Sequence, residues 1–125
     1  MKVIVAGSRH IKSAAVVYRA IRMSEFNITQ IVSGGCRGVD RFAEYFAKEY
    51  GIDLRVFPAD WKQYGNKAGP IRNSEMAQYA DALIAIQSLN HMNKGSDDMI
   101  RKAITHGLRI ARFWVNGDSI KAFSR

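Results

Sequence analysis

Strands alternating with long helices predict an α/β fold, a three-layer, doubly wound, Rossmann-like domain on a mostly parallel five-stranded sheet. Three features carry that prediction. The segments Lys2–Ala6 and Ala82–Ile86 contain unbroken apolar runs, as strands covered on both faces do. Val39, Phe42, Ala43, Phe46, Ala47 and Tyr50 recur at helical spacing. Between a second strand and that helix lies the glycine-rich turn Ser33-Gly-Gly-Cys-Arg-Gly38, and a strand, a tight turn and a helix N-terminus together make an anion site.

The elements follow in order. The strand Lys2–Ala6 ends at Gly7. A helix is expected from about Ile11 to Glu25, with Ala14, Val17, Ala20 and Ile21 on one stripe and Asn27 where the chain leaves it. Ile28–Val32 is the second strand, and the helix Gly38–Tyr50 ends with Gly51 at the position that favours a left-handed residue. Asp53–Phe57 is the third strand, stopped by Pro58. Residues 58–69 read as a long loop, and Pro70 suits the first position of a helix running to about Ala80. Ala82–Ile86 is the fourth strand and Gln87–Lys94 a polar connection. Gly95-Ser-Asp-Asp98 opens the last helix, with Ser96 as its N-cap, and that helix ends near Gly107. Leu108–Val115 is the fifth strand, and the residues after Asn116 carry no assignment. No repeat, low-complexity stretch or linker interrupts the chain, so residues 1–125 are read as a single domain.

Composition narrows the function. A chain of 125 residues buries one core and is too short for two. The single cysteine, Cys36, excludes an intrachain disulfide framework and fits a reducing, cytoplasmic setting. No apolar run reaches membrane-span length, and Val3–Ala6 is too short for a signal-peptide core, so no membrane partner is expected. The net charge of +8 is spread over nearly every segment without a block of like charges. It has two readings: a basic surface with weak nucleic-acid affinity, or cations that converge on an anionic ligand.

In a doubly wound sheet ligands bind outside the carboxyl ends of the strands. Gly7-Ser8-Arg9, Ser33–Gly38, the 58–69 loop and Gln87–Ser96 all emerge there. Gly7 allows a sharp turn, Ser8 can donate to phosphate, and Arg9 can grip it bidentately. The turn built from Ser33, Gly34, Gly35, Cys36, Arg37 and Gly38 is neither a Walker A loop nor the Gly-x-Gly-x-x-Gly fingerprint, which sets aside the usual nucleoside triphosphatase and dehydrogenase readings. Asp40, in the first helical turn, suits a cap or a ribose-hydroxyl acceptor. Cys36 has no histidine placed beside it by the sequence and is read as a small loop residue. The segment Trp61–Asn73 offers an aromatic to stack on a base, with Lys67, Arg72 and Asn73 around a helix start. Gly95 and Ser96 add a second helix N-terminus, and the adjacent Asp97 and Asp98 point in different directions, so they are not read as a metal pair. His10, His91 and His106 lack metal-ligand spacing and are assigned solvent-facing or capping roles. No metal and no cofactor are expected.

Taken together, Gly7-Ser-Arg9, Ser33–Asp40, Pro58-Ala-Asp-Trp61, Lys67–Asn73 with Met76, Ala80–Ala85 and Gly95-Ser-Asp-Asp-Met99 resemble the SLOG superfamily. That Rossmann-like group includes the DNA-processing protein DprA and the Lonely Guy phosphoribohydrolases, and the matching is strongest to its small YspA-like, YpsA-related branch. The resemblance implies a nucleotide-derived ligand. The sequence departs from the Lonely Guy motif Pro-Gly-Gly-x-Gly-Thr-x-x-Glu: Gly95-Ser96 aligns with Gly-Thr, but Met99 takes the place of the catalytic Glu and no Gly-Gly pair occurs over Asn90–Lys94. Cys36 stands where the family more often has alanine.

The expected function is therefore binding or sensing of a phosphorylated nucleoside-derived small molecule, a nucleotide or an ADP-ribose-like ligand. Backbone amides of Ser33–Gly38 and Gly95-Ser96 would hold phosphate, Arg9, Arg37, Lys67 and Arg72 would supply cations, and Asp40 or Asn73 would read ribose hydroxyls. Two alternatives stay open: N-glycosidic cleavage assisted by Asp40 or Asp98, and DprA-like single-stranded nucleic-acid binding. Phe113, Trp114 and Val115 fit either a core or the edge of a homo-oligomer.

Overall fold

The computed structural model describes residues 1–123 and realises the predicted alternation as six strands and five α-helices among them. The strands are β1 (Lys2–Gly7), β2 (Gln30–Ser33), β3 (Asp53–Val56), β4 (Ala82–Ser88), β5 (Arg109–Asn116) and β6 (Ser119–Ala122). The helices are α1 (Ala14–Met23), α2 (Val39–Glu49), α3 (Trp61–Tyr64), α4 (Ala68–Tyr79) and α5 (Lys94–Thr105). They form one sheet of order β3-β2-β1-β4-β5-β6, parallel except for β6. The winding reverses between β1 and β4, whose register runs from Val3 opposite Ala82 to Gly7 opposite Ile86.

Two cores explain the apolar runs. Val3, Val5, Ile31, Ile84 and Ile86 face α1 and α2, where Val17, Ala20, Ala43 and Phe46 cover them. Ile4, Val32, Leu83 and Ala85 face α4 and α5, covered by Met76, Ala77, Met99 and Ala103. Every residue of β4 is buried, which is why that strand shows no polar alternation.

Four expectations are corrected. α1 begins at Ala14, not Ile11, because the Ser13 hydroxyl accepts from the Val16 N–H at 3.3 Å and caps the helix; Ile11 is buried in the loop before it. Residues 58–69 are not an open loop. Asp60 caps α3 through the Gln63 N–H at 3.1 Å, a 3₁₀ turn covers Gly65–Lys67, and α4 begins at Ala68. Pro70 is thus the third residue of α4, where its missing N–H has no intrahelical acceptor to lose. The chain after Asn116 turns through Gly117, at φ +61°, and returns as β6 antiparallel to β5, so the sheet has six strands rather than five. β5 therefore lies inside the sheet, with Phe113 and Val115 in the core and Trp114 opposite Lys121, rather than at an edge. No helix among the described residues is long and apolar enough to cross a membrane.

Candidate functional site

The carboxyl end of β1 is locked through backbone to β4 on one side and to the turn after β2 on the other. A Cβ on Gly7 would sit 1.9 Å from the Ile86 carbonyl oxygen, and the Ser8 N–H donates to that same oxygen at 3.0 Å. Gly38, at φ +79°, has no room either: a Cβ there would lie 2.6 Å from Arg9 Cα and from the Ser8 carbonyl oxygen, which accepts from the Val39 N–H at 3.3 Å. Gly7 thus leaves room for the backbone of β4, and Gly38 lets the turn after β2 approach the loop after β1. Ser8 is buried, and its hydroxyl accepts from the His10 N–H at 3.1 Å.

Behind the Ser33–Gly38 turn lies a buried polar network. The Ser33 hydroxyl donates to Glu44 Oε2 at 2.7 Å and accepts from the Gly35 N–H at 3.1 Å. Asp40, 5 % exposed, accepts from the Cys36 N–H at 3.3 Å. Burial pushes its carboxyl up to about 7; the Cys36 N–H and the Arg72 charge oppose the rise and the Glu44 charge adds to it. Arg72, 9 % exposed, donates Nη1 to the Gly34 carbonyl oxygen and Nε to Asn73 Oδ1 at 3.0 Å, and its Nη2 lies 3.9 Å from Cys36 Sγ.

Asn73 carries the network to α5. It donates to Asp98 Oδ2 at 2.9 Å and to the Gly95 carbonyl oxygen at 3.3 Å, so the residue expected to read a ribose ties α4 to α5. Burial favours the neutral form of Asp98, but hydrogen bonds from Lys102 and Asn73, with the Lys102 and Arg101 charges, outweigh it and hold the carboxyl below its ordinary value. Such a group is committed to its ionised, paired form and is poorly suited to donate a proton.

Ser96 does not cap α5, since the flanking position is Asn93. Its buried hydroxyl donates to the Asn93 carbonyl oxygen at 3.1 Å and accepts from Gln87 Nε2 at 2.9 Å. Gln87 also donates to Asp97 Oδ1 at 2.7 Å and accepts from Arg112 Nε at 2.7 Å. Gln87, Arg112 and Glu44 were not singled out from the sequence. The one available signal was Gln87 itself, a polar residue directly extending the apolar run Ala82–Ile86, which in a fully covered strand must find buried partners.

A cleft of about 380 Å³ opens beside this network, at the ends of β2 and β3. Gly34, Gly35, Cys36 and Arg72 line it, with Arg41 and Glu44 contributed by α2, Val56, Pro58 and Ala59 by the end of β3 and the following loop, and Trp61 by α3. Arg41 and Glu44 form an ion pair at 3.8 Å. Trp61 is 56 % exposed, an aromatic left on the rim rather than drawn into the core. The volume falls within the ordinary range for a small-molecule site, roughly 300–1,000 Å³. Of the residues expected to bind ligand, Gly34, Gly35 and Arg72 line this cleft; Arg9, Arg37 and Lys67 are exposed outside it. Among the described residues, no ion pair involves those last three.

Comparison with known proteins bears on this arrangement. The sequence model of a family described as YAcAr, the YspA, cpYpsA-related SLOG family, matches residues 1–64. The match runs from β1 through α3 and takes in the Ser33–Gly38 turn, Asp40, Glu44 and Trp61. The Gene 61 protein of Mycobacterium phage D29 is similar to the chain, 28 % identical over 121 residues, which cover 90 % of this chain and 95 % of that protein. No solved structure matches.

Proposed function

The chain belongs to the YspA, cpYpsA-related SLOG family, and from that premise we propose that it binds a phosphorylated nucleoside-derived small molecule in the cleft at the ends of β2 and β3. Family membership suggests a nucleotide-related role; the choice of ligand and site is our reading. The observation that carries it is the pairing, in one cleft, of an exposed indole with a buried guanidinium: Trp61 on the rim and Arg72 beside the Gly34-Gly35 turn. An aromatic face suits a base, and a guanidinium held by Gly34 and Asn73 is already oriented for phosphate. The backbone N–H of Cys36 is engaged by Asp40, so binding in this reading rests on side chains more than on a cradle of free amides.

The test is thermal melting and tryptophan fluorescence against nucleoside monophosphates, ADP-ribose and short oligonucleotides, with products checked by mass spectrometry. A small molecule at a hundred times its Kd adds about 2.7 kcal/mol, an easily read shift. A shift with an intact nucleotide, lost in Trp61→Leu, supports the reading. Stabilisation by oligonucleotides alone, or no response to any nucleotide, would overturn it.

A further inference from the structure

β3 closes one end of the sheet, and among the described residues nothing pairs with its outer edge. All of its residues are exposed, the apolar Leu54 and Val56 included. Pairing with β2 fixes which backbone groups face outward. The Phe57 N–H donates to the Ser33 carbonyl oxygen at 2.8 Å, Ser33 lies opposite Val56, and successive residues of a parallel strand bond to alternate sides. Asp53 and Arg55 therefore bond inward to β2, while Leu54 and Val56 present N–H and C=O to the open edge.

Open edges invite pairing with another chain unless charge blunts them. The far edge is blunted: β6 carries Lys121 and no acid. β3 carries one charge of each sign, Asp53 and Arg55, and among the described residues neither enters an ion pair. Both are held on the α4 side of the sheet. Gln30 Nε2 donates to Asp53 Oδ2 at 2.6 Å, and the Arg55 guanidinium lies over the Tyr79 ring, 4.9 Å from its centroid. On the other side Leu54 lines a groove of about 390 Å³ against α2, with Ile52 and the exposed Tyr45.

We propose that β3 is the docking edge for a second copy of this chain, paired antiparallel about a two-fold axis at Leu54, so that two six-stranded sheets become one. Charge selects that register. Antiparallel strands exchange hydrogen bonds between residues whose polar groups face outward, which restricts the axis of a symmetric pair to Leu54 or a neighbouring position. An axis at Asp53 would oppose two carboxylates, and one at Arg55 two guanidiniums. The axis at Leu54 sets Asp53 opposite Arg55 of the second copy, twice over, in the more closely spaced kind of cross-strand pair. Residues directly opposite share a face, so on the α2 side Leu54 meets its own copy and Val56 meets Ile52. A pairing over four residues is small, of the class below roughly 1,200 Å² that forms reversible complexes, so the dimer should associate in the micromolar range. The assignment does not depend on what the Trp61 cleft binds.

The test is sedimentation velocity of the full chain from about 5 to about 500 µM, a range that brackets micromolar association. The wild type should pass from monomer to dimer. Asp53→Arg and Arg55→Asp each place like charges opposite one another and should weaken association by at least about tenfold. An equimolar mixture of the two variants should recover it, because every opposed pair then has opposite signs. Leu54→Lys, at an exposed position, should abolish the dimer while leaving the circular dichroism spectrum and melting temperature unchanged. A wild type that stays monomeric throughout, or assembly beyond a dimer, which a closed two-fold edge pair does not allow, would overturn the proposal. So would folded charge variants that do not recover on mixing. Should those variants fail to fold, Leu54→Lys decides alone: a dimer that survives it does not use this edge.

Discussion

The guanidinium of Arg72 donates to the carbonyl oxygen of Gly34, a residue 38 positions earlier in the chain, and the fit leaves no space for a side chain at position 34. A Cβ there would lie 2.7 Å from Arg72 Nη1 and 2.9 Å from Asp40 Oδ2. This contact joins α4 to the turn after β2 and sets one wall of the cleft.

Replacing either partner should therefore disturb fold and cleft together. Gly34→Ala forces the guanidinium or the carboxylate aside, at a cost of about 1–3 kcal/mol. Arg72→Met leaves the Gly34 carbonyl and Asn73 Oδ1 without their donor and should cost about 2–4 kcal/mol by urea denaturation. Arg72→Lys should recover little of that, since one ammonium cannot reproduce a fork bonded in two directions. A loss below 0.5 kcal/mol in Arg72→Met, a threshold set by ordinary surface changes of about that size, would show that the contact contributes nothing.

Glycines at the sheet edge should separate sharply by backbone crowding. Gly7→Ala drives a methyl group into the Ile86 carbonyl oxygen at 1.9 Å and requires β1 and β4 to part. We expect a loss above about 3 kcal/mol or failure to fold. Gly95, in the first turn of α5, has nothing within 4 Å of a built Cβ, so Gly95→Ala should be neutral or stabilise by up to about 1 kcal/mol. Equal melting temperatures for the two variants would contradict the geometry.

Asp40 gives the fold a pH dependence of unusual sign. Its carboxyl titrates near 7 when folded, against 3.8 as its ordinary value, so the folded chain binds the extra proton between those limits. Stability from this group is fully present below about pH 4 and is lost as pH rises through about 7. Asp40→Asn keeps an acceptor for the Cys36 N–H and removes the titration, so its stability should be flatter than wild type across that window. Denaturation curves at pH 5 and pH 8 measure this; an identical slope in the two proteins would refute it.

Trp61 should separate binding from stability. More than half of the indole is in solvent, so Trp61→Leu should change stability by no more than about 0.5 kcal/mol. If a base stacks on it, nucleotide affinity should fall by about 1–3 kcal/mol, equivalent to roughly five- to 150-fold in Kd. An unchanged Kd in a folded variant would remove the indole from the site.

How much of this was legible in advance depends on the range over which each feature is decided. The doubly wound architecture follows from local periodicity, because a strand covered on both faces must be apolar throughout and a helix on a sheet must carry a stripe. Val3–Ala6, Ala82–Ile86 and the repeat from Val39 to Tyr50 are such patterns, and each forms the element it predicts. The turn at Ser33–Gly38 was equally local, and Gly51 ends α2 at φ +64° as its position implied. Where short-range signals compete they mislead: Pro70 points to a helix start two residues too late, and Gly117-Asp118 turns the chain into β6, a strand its own weak pattern does not announce.

The roles of the edge residues were a different matter. The sequence by itself determined which residue types reach the carboxyl edge of the sheet: glycines, Arg9, Arg37, Asp40, Trp61, Arg72, Asn73 and Ser96. Only the tertiary structure decided which of them line the cleft and which face one another. Gly7 and Gly38 make room for neighbouring backbone, Asn73 and Ser96 hold α4, α5 and β4 together, and Arg72 meets Gly34 and lines the cleft. The physical reason is that a buried polar group must find a partner, and that partner is supplied by whichever segment the fold brings near, often tens of residues away.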